Sequence, residues 1–177
     1  YFIVNGFRLN RLDSTVRGIT EHYTWVNSLG VNLSFTLDGL SLLFSLLITG
    51  VGSLVFIYTS NYLKGHQYLD RFYGYLGLFM AAMLGLVLSD NLISLFIFWE
   101  LTSISSYFLI GFNNQDKASR KSALLALGIT GLGGMSLLAA AIMLGLAANT
   151  FNITEILNNP PQFESAGYYI ATVVLFF

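Results

Sequence analysis

Glu100 is the single charge in residues 91–112, NLISLFIFWELTSISSYFLIGF, and it stands close to their midpoint. A charged group at the centre of a bilayer costs about 2.5–3.5 kcal/mol on insertion scales. The glutamate side chain is too short to reach either interface from there. Its carboxyl must therefore face protein or water, or stay protonated. Burial favours the neutral form of a carboxyl and a nearby cation favours the charged form. A group balanced between them can load and release a proton. At about 100° per residue, Ser103, Tyr107 and Gly111 project within about 60° of Glu100 on a helix. Two hydroxyls are thus placed to hydrogen-bond the carboxyl or to hold a water beside it. The sequence leaves two readings open: a proton relay, and a protonated glutamate that ties two helices together.

Other chemistry is scarce. The chain has no Cys and two His, which excludes disulfides, thiolate metal sites and thiol catalysis. His66 lies in a polar linker beside Lys64, and His22 lies in a predicted hairpin, so neither has a companion for a metal site. No hydrolytic triad, zinc-ligand spacing or redox-cofactor motif is present, so no cofactor and no metal are expected. Asp38 precedes the first long apolar run; helix capping is the preferred reading and proton transfer the minor one. GITGLGG (128–134) imitates a phosphate loop, but it lies within an apolar run and no Lys follows it, so helix packing is expected. NITE (152–155) reads as a helix start closed by Pro160-Pro161, giving a short interfacial helix. The same letters spell a glycosylation sequon, which carries nothing without a secretory context.

The elements that must position these residues are long and apolar. Of 177 residues, 55% are hydrophobic and 10% charged, against roughly 25% charged in soluble domains. The net charge of −1 suggests no nucleic-acid partner. Residues 39–58, 72–89, 122–154 and 165–177 carry no charge. About 20 helical residues cross a hydrocarbon core of about 30 Å. Full spans are predicted near 39–60, 72–89, 91–112 and 122–147, and a further helix begins near Tyr168. The chain begins with Tyr and ends within an apolar run, which reads as part of a longer protein.

Lys64, Arg71, Lys117, Arg120 and Lys121 fall in linkers on one side, while the linkers at 89–91 and 148–167 hold no Lys or Arg. That asymmetry places the first group in the cytoplasm. Arg8, Arg11 and Arg17 then lie outside, against the trend. VNLSFTLD (31–38) alternates apolar and polar, EHYTWV (21–26) is rich in strand formers, and NSLG separates them as a turn. A β-hairpin near 20–37 on the outer surface is expected. Small residues recur at four-residue spacing at Ser41, Ser45, Thr49 and Ser53, at Gly77, Ala81 and Gly85, and at Ser122, Ala126, Thr130 and Gly134. Such stripes are expected to face neighbouring helices. The fold class is therefore an all-α polytopic membrane protein. Residues 1–37 hold the end of a preceding helix and an extracytoplasmic β-hairpin. Residues 38–177 hold a transmembrane helix bundle that is incomplete at the C-terminus.

LDGLSLLFSLLITG (37–50) and GLFMAAMLGLVLSDNLISLFIFWELTSISSYFLIGF (77–112) resemble the large A subunit of Mrp-type multisubunit Na⁺/H⁺ antiporters, with FWELTSISS (98–106) especially close. More distantly the pattern resembles the antiporter-like subunits of respiratory complex I and of membrane-bound hydrogenases. The resemblance implies a bundle of two inverted repeats, of which this chain would cover about helices 2–7. It implies that Glu100 is the family's proton-relay carboxylate, paired with a lysine beyond residue 177. Ser103 and Tyr107 would support it, and Lys121 and Asp38 are secondary candidates. Many relatives carry a lysine near the position of Leu125, where this chain reads ALLALGIT; Arg120 and Lys121 lie about one turn earlier.

The implied partners are other antiporter-complex membrane subunits, monovalent cations and protons, and the lipid bilayer. The implied location is the bacterial inner membrane, and the implied protein is a transporter and not an enzyme. A proton-pumping subunit of a NADH-quinone oxidoreductase or hydrogenase is the first alternative, and a structural membrane subunit the second. Na⁺ and K⁺ are not distinguished, because both take oxygen ligands.

Overall fold

The computed structural model describes residues 19–26, 31–62, 68–113, 115–162 and 166–176. The expected preceding helix, the NSLG turn and the linker positions Lys64 and His66 lie outside the described residues. Among the described residues two antiparallel strands, β1 (Ile19–Val26) and β2 (Val31–Leu37), precede six helices. These are α1 (Gly39–Tyr62), α2 (Leu69–Leu88), α3 (Leu92–Ile110), α4 (Lys117–Ala148), α5 (Ile153–Asn158) and α6 (Ala166–Phe176). The first four are long and apolar enough to cross a membrane. The chain is thus an all-α polytopic bundle with one small hairpin.

The helix starts are set by short polar side chains. Asp38 accepts the N–H of Ser41 at 2.7 Å while the Ser41 hydroxyl accepts the N–H of Asp38 at 2.8 Å, a reciprocal cap on α1. Asn91 accepts the N–H groups of Ile93 and Ser94 to open α3. Asp116 accepts those of Ala118 and Ser119 to open α4, which therefore begins five residues ahead of the apolar run. At about 1.5 Å per residue its 32 residues reach about 48 Å, so its ends extend past the hydrocarbon core. Asn149, at φ 54°, ends it in the left-handed conformation.

The hairpin is fastened to the bundle through Ser89, Asp90 and Ser94. Phe35 bridges to Ser89, and the N–H of Asp90 donates to the Ser34 carbonyl at 2.8 Å. The Ser94 hydroxyl donates to the Asn32 carbonyl at 3.0 Å. The edge of β2 opposite β1 is thereby covered, which removes an exposed template for strand pairing. Ser34 is fully buried here, so the polar positions of the alternating strand do not simply face water. On the other flank Asn91 bridges to Asn152, and Leu92 donates to the Phe151 carbonyl at 2.9 Å.

Buried glycines set the close helix contacts, each seating one side chain. Gly52 of α1 seats Met80, Gly85 of α2 seats Phe98, Gly134 of α4 seats Glu100, and Gly145 seats Phe151. The four-residue stripes follow these contacts only in part. Ser41 and Ser45 are buried, but Ser53, Ala81, Ser122 and Thr130 are exposed on this chain. A spacing of four advances about 40° around the helix per step, so such a stripe drifts off a straight contact face. Thr49, Ser53 and Thr130 hydroxyls donate to the carbonyl four residues back in their own helix, and so need no partner on another.

Candidate proton-transfer site

Glu100 lies midway along α3, where that helix packs on α4. Its Oε1 is buried and has no hydrogen-bond partner among the described residues. The carboxyl sits directly over Gly134: a methyl carbon built there would lie 1.7 Å from Oε1 and 3.0 Å from Cδ. The room for the carboxyl is therefore the space that a side chain on α4 would fill. Trp99 borders the same position, its Cδ1 3.7 Å from that methyl carbon.

The other sequence candidates are placed differently. Ser103 is buried on α3, but its hydroxyl donates to the Trp99 carbonyl at 3.3 Å and not to Glu100. Tyr107, one turn further on, lines a cavity of about 220 Å³ with Tyr68, Arg71, Tyr75, Phe112 and Arg120 among its walls. That cavity lies where α2 and α4 begin and α3 ends. Lys121 is exposed in the second turn of α4, and its neighbour Arg120 is the one that reaches the cavity. Asp38 is at the opposite end of the bundle, at the junction of β2 and α1, engaged in the cap of α1. Of the candidates, then, Glu100, Ser103 and Tyr107 share α3, whereas Asp38 and Lys121 sit at opposite membrane ends.

The sequence reading named Gly134 only as a member of a small-residue stripe facing a neighbouring helix, without its partner, and did not single out Asp90. Gly134 lay in a cluster read only as packing, and its partner on α3 has no signature along the chain. Asp90 is 4% exposed and joins three segments. Its carbonyl accepts the N–H of Ile153 at 2.9 Å, and its Oδ1 accepts the N–H and hydroxyl of Thr154 at 3.0 and 2.7 Å. The first donors of α5 are thus satisfied by a residue 64 positions earlier. The available signal was a carboxylate directly before the helix-opening Asn91. Among the described residues no group of three or more His, Cys, Asp or Glu could hold a metal ion.

Residues 23–73 match the family described as NADH-ubiquinone oxidoreductase (complex I), chain 5 N-terminus. Residues 89–177 match NADH:quinone oxidoreductase/Mrp antiporter, TM. The chain is 47% identical over 169 residues to Na(+)/H(+) antiporter subunit A1 of Staphylococcus haemolyticus (strain JCSC1435), covering 94% of this chain and 21% of that protein. It is 43% identical over 171 residues to the subunit of the same name in Staphylococcus aureus (strain JH9), covering 96% and 21%. The chain therefore spans about a fifth of the length of these curated relatives. Among solved structures it is similar to the Mrp complex from Dietzia sp. DQ12-45-1b, with a TM-score of 0.82 and 32% identity over 97% of this chain and 19% of that one. Respiratory complex I from Thermus thermophilus with bound NADH shares the fold, with a TM-score of 0.72 at 24% identity over 99% of this chain and 36% of that one.

Proposed function

The chain belongs to the NADH:quinone oxidoreductase/Mrp antiporter transmembrane family, and on that premise we propose that it forms part of a proton-translocating subunit of a multisubunit monovalent cation/proton antiporter. Glu100 is the proton-relay carboxylate in this reading. The observation that carries it is the Glu100 carboxyl held at the α3–α4 contact over Gly134, with a buried Oε1 that no described residue hydrogen-bonds. A buried oxygen in that state is costly to leave unpaired. It is completed when a proton, a water or a cationic neighbour supplies the missing contact.

The division of labour among the remaining residues follows from position. Tyr107 lies between Glu100 and the cavity that Arg71 and Arg120 line, on the side assigned to the cytoplasm by the Lys and Arg distribution. Ser103 keeps the α3 face narrow while its hydroxyl stays on its own helix. Asp38 and Lys121 take no part in the transfer step. The hairpin, Asp90 and α5 close the opposite, extracytoplasmic end. The partners are the other membrane subunits of an antiporter complex, and the transported species are protons and Na⁺ or K⁺.

The relatives named Na(+)/H(+) antiporter subunit A1 support the antiporter over a redox-driven pump. The two alternatives separate in vesicles lacking any electron donor. Cation addition should then dissipate an imposed ΔpH. Proton movement only on oxidation of an electron donor would assign the chain to a redox complex instead.

A further inference from the structure

We propose that Gly134 is the positioning residue for Glu100: by carrying no side chain at the α3–α4 contact, it fixes the depth and direction of the carboxyl. This rests on the reading of Glu100 as the relay. The contact is with the functional group itself. A methyl carbon at Gly134 would fall 1.7 Å from Oε1 and 3.0 Å from Cδ, so any side chain there must move the carboxyl. The nearby Gly128, Gly131 and Gly133 would meet nothing within 4 Å among the described residues, so within the cluster only Gly134 is bound to this task. The other buried glycines seat Met80, Phe98 and Phe151, which are apolar, whereas Gly134 seats an ionisable group.

Gly134 supplies space and not a hydrogen bond. In the interior of α4 its N–H is used by the helix ladder. The carboxyl is therefore held against backbone that cannot satisfy Oε1, which has no hydrogen-bond partner among the described residues. Glycine at 134 also matches the length of glutamate. An aspartate at position 100 would withdraw the carboxyl by one methylene and leave a gap of the size that an alanine methyl at 134 would fill.

That match supplies the test. Gly134→Ala, Glu100→Asp and the double variant are compared with wild type in the complete antiporter assembly, in everted vesicles at matched complex abundance. Gly134→Ala should lower cation-dependent exchange about tenfold or more, as displacement of a reacting group by an ångström does. The double variant should exchange better than the product of the two single losses. The infrared C=O stretch assigned to Glu100, by its disappearance in Glu100→Gln, should shift in Gly134→Ala. Wild-type exchange in Gly134→Ala, an unshifted stretch, or single losses that simply multiply would overturn the proposal. If Gly134→Ala fails to assemble, recovery of assembly in the double variant supports the carboxyl as the obstacle, and continued failure overturns it. Loss of exchange in Glu100→Gln alongside a normal Gly134→Ala removes the positioning role alone. Normal exchange in Glu100→Gln removes the relay beneath it.

Discussion

The carboxyl of Glu100 was legible as an anomaly from sequence, because one charge in an otherwise apolar span needs a reason. Its surroundings were legible only along its own helix. Ser103 and Tyr107 follow from helical periodicity, yet the Ser103 hydroxyl turns to the Trp99 carbonyl, since a backbone oxygen one turn back is always within its reach. Ser103→Ala is therefore expected to leave exchange within about twofold of wild type, the loss of an intrahelical bond being worth about 1 kcal/mol or less. A tenfold loss at normal complex abundance would give that hydroxyl a part in the transfer. Asp38 has an equally direct test. Asn at that position still accepts the Ser41 N–H, and replacing a cap by Ala costs about 0.5–2 kcal/mol. Asp38→Asn should keep both assembly and exchange, while Asp38→Ala should lower thermal stability in detergent. Loss of exchange in Asp38→Asn with normal assembly would mean that Asp38 carries protons.

Among the elements, the spans and the hairpin were readable because length, apolarity and alternation are local properties. Which face of each span meets which neighbour was not readable. The stripe through Ala81 shows why: small residues at regular spacing mark where a helix could be approached, and only the neighbour decides where it is. Phe98 occupies the space over Gly85, its ring 2.3 Å from where a Cβ would stand, whereas Ala81 is exposed on this chain. Gly85→Leu should lower complex yield on a native gel, and Ala81→Leu should not. The reverse order would place the α2–α3 contact on the other face. Asp90 belongs to the same scale, since its partners lie in β2 and α5 and no local pattern announces them. Asp90→Ala leaves the Thr154 N–H and hydroxyl without their acceptor and should cost about 1–3 kcal/mol. Protease sensitivity of the 150–160 segment should rise in Asp90→Ala and stay near wild type in Asp90→Asn. Equal behaviour of wild type and Asp90→Ala would show that α5 is held by other contacts.

At the scale of the whole chain, the described residues form a helix bundle with a polar knot at one end and a cavity lined by two arginines at the other. Ser89, Asp90 and Asn91 join the hairpin to α5 at the closed end, and Arg71 and Arg120 mark the other. The alternation of spans groups the linkers by side, and the Lys and Arg bias then chooses the cytoplasmic one. Cysteines introduced at positions 64 and 117 should be labelled from the cytoplasm. Labelling of both from outside would invert the topology and exchange the roles of the two ends. Between the ends, the Glu100 carboxyl has a buried oxygen with no hydrogen-bond partner among the described residues, and the account depends on that group changing its proton. Gln at position 100 keeps the size and hydrogen-bonding capacity of Glu but cannot ionise. Cation-dependent ΔpH dissipation, measured in everted vesicles carrying the complete assembly at matched abundance, should be lost in Glu100→Gln while the complex still forms. Exchange close to wild type in that variant would contradict the account, leaving Glu100 as a tie between α3 and α4.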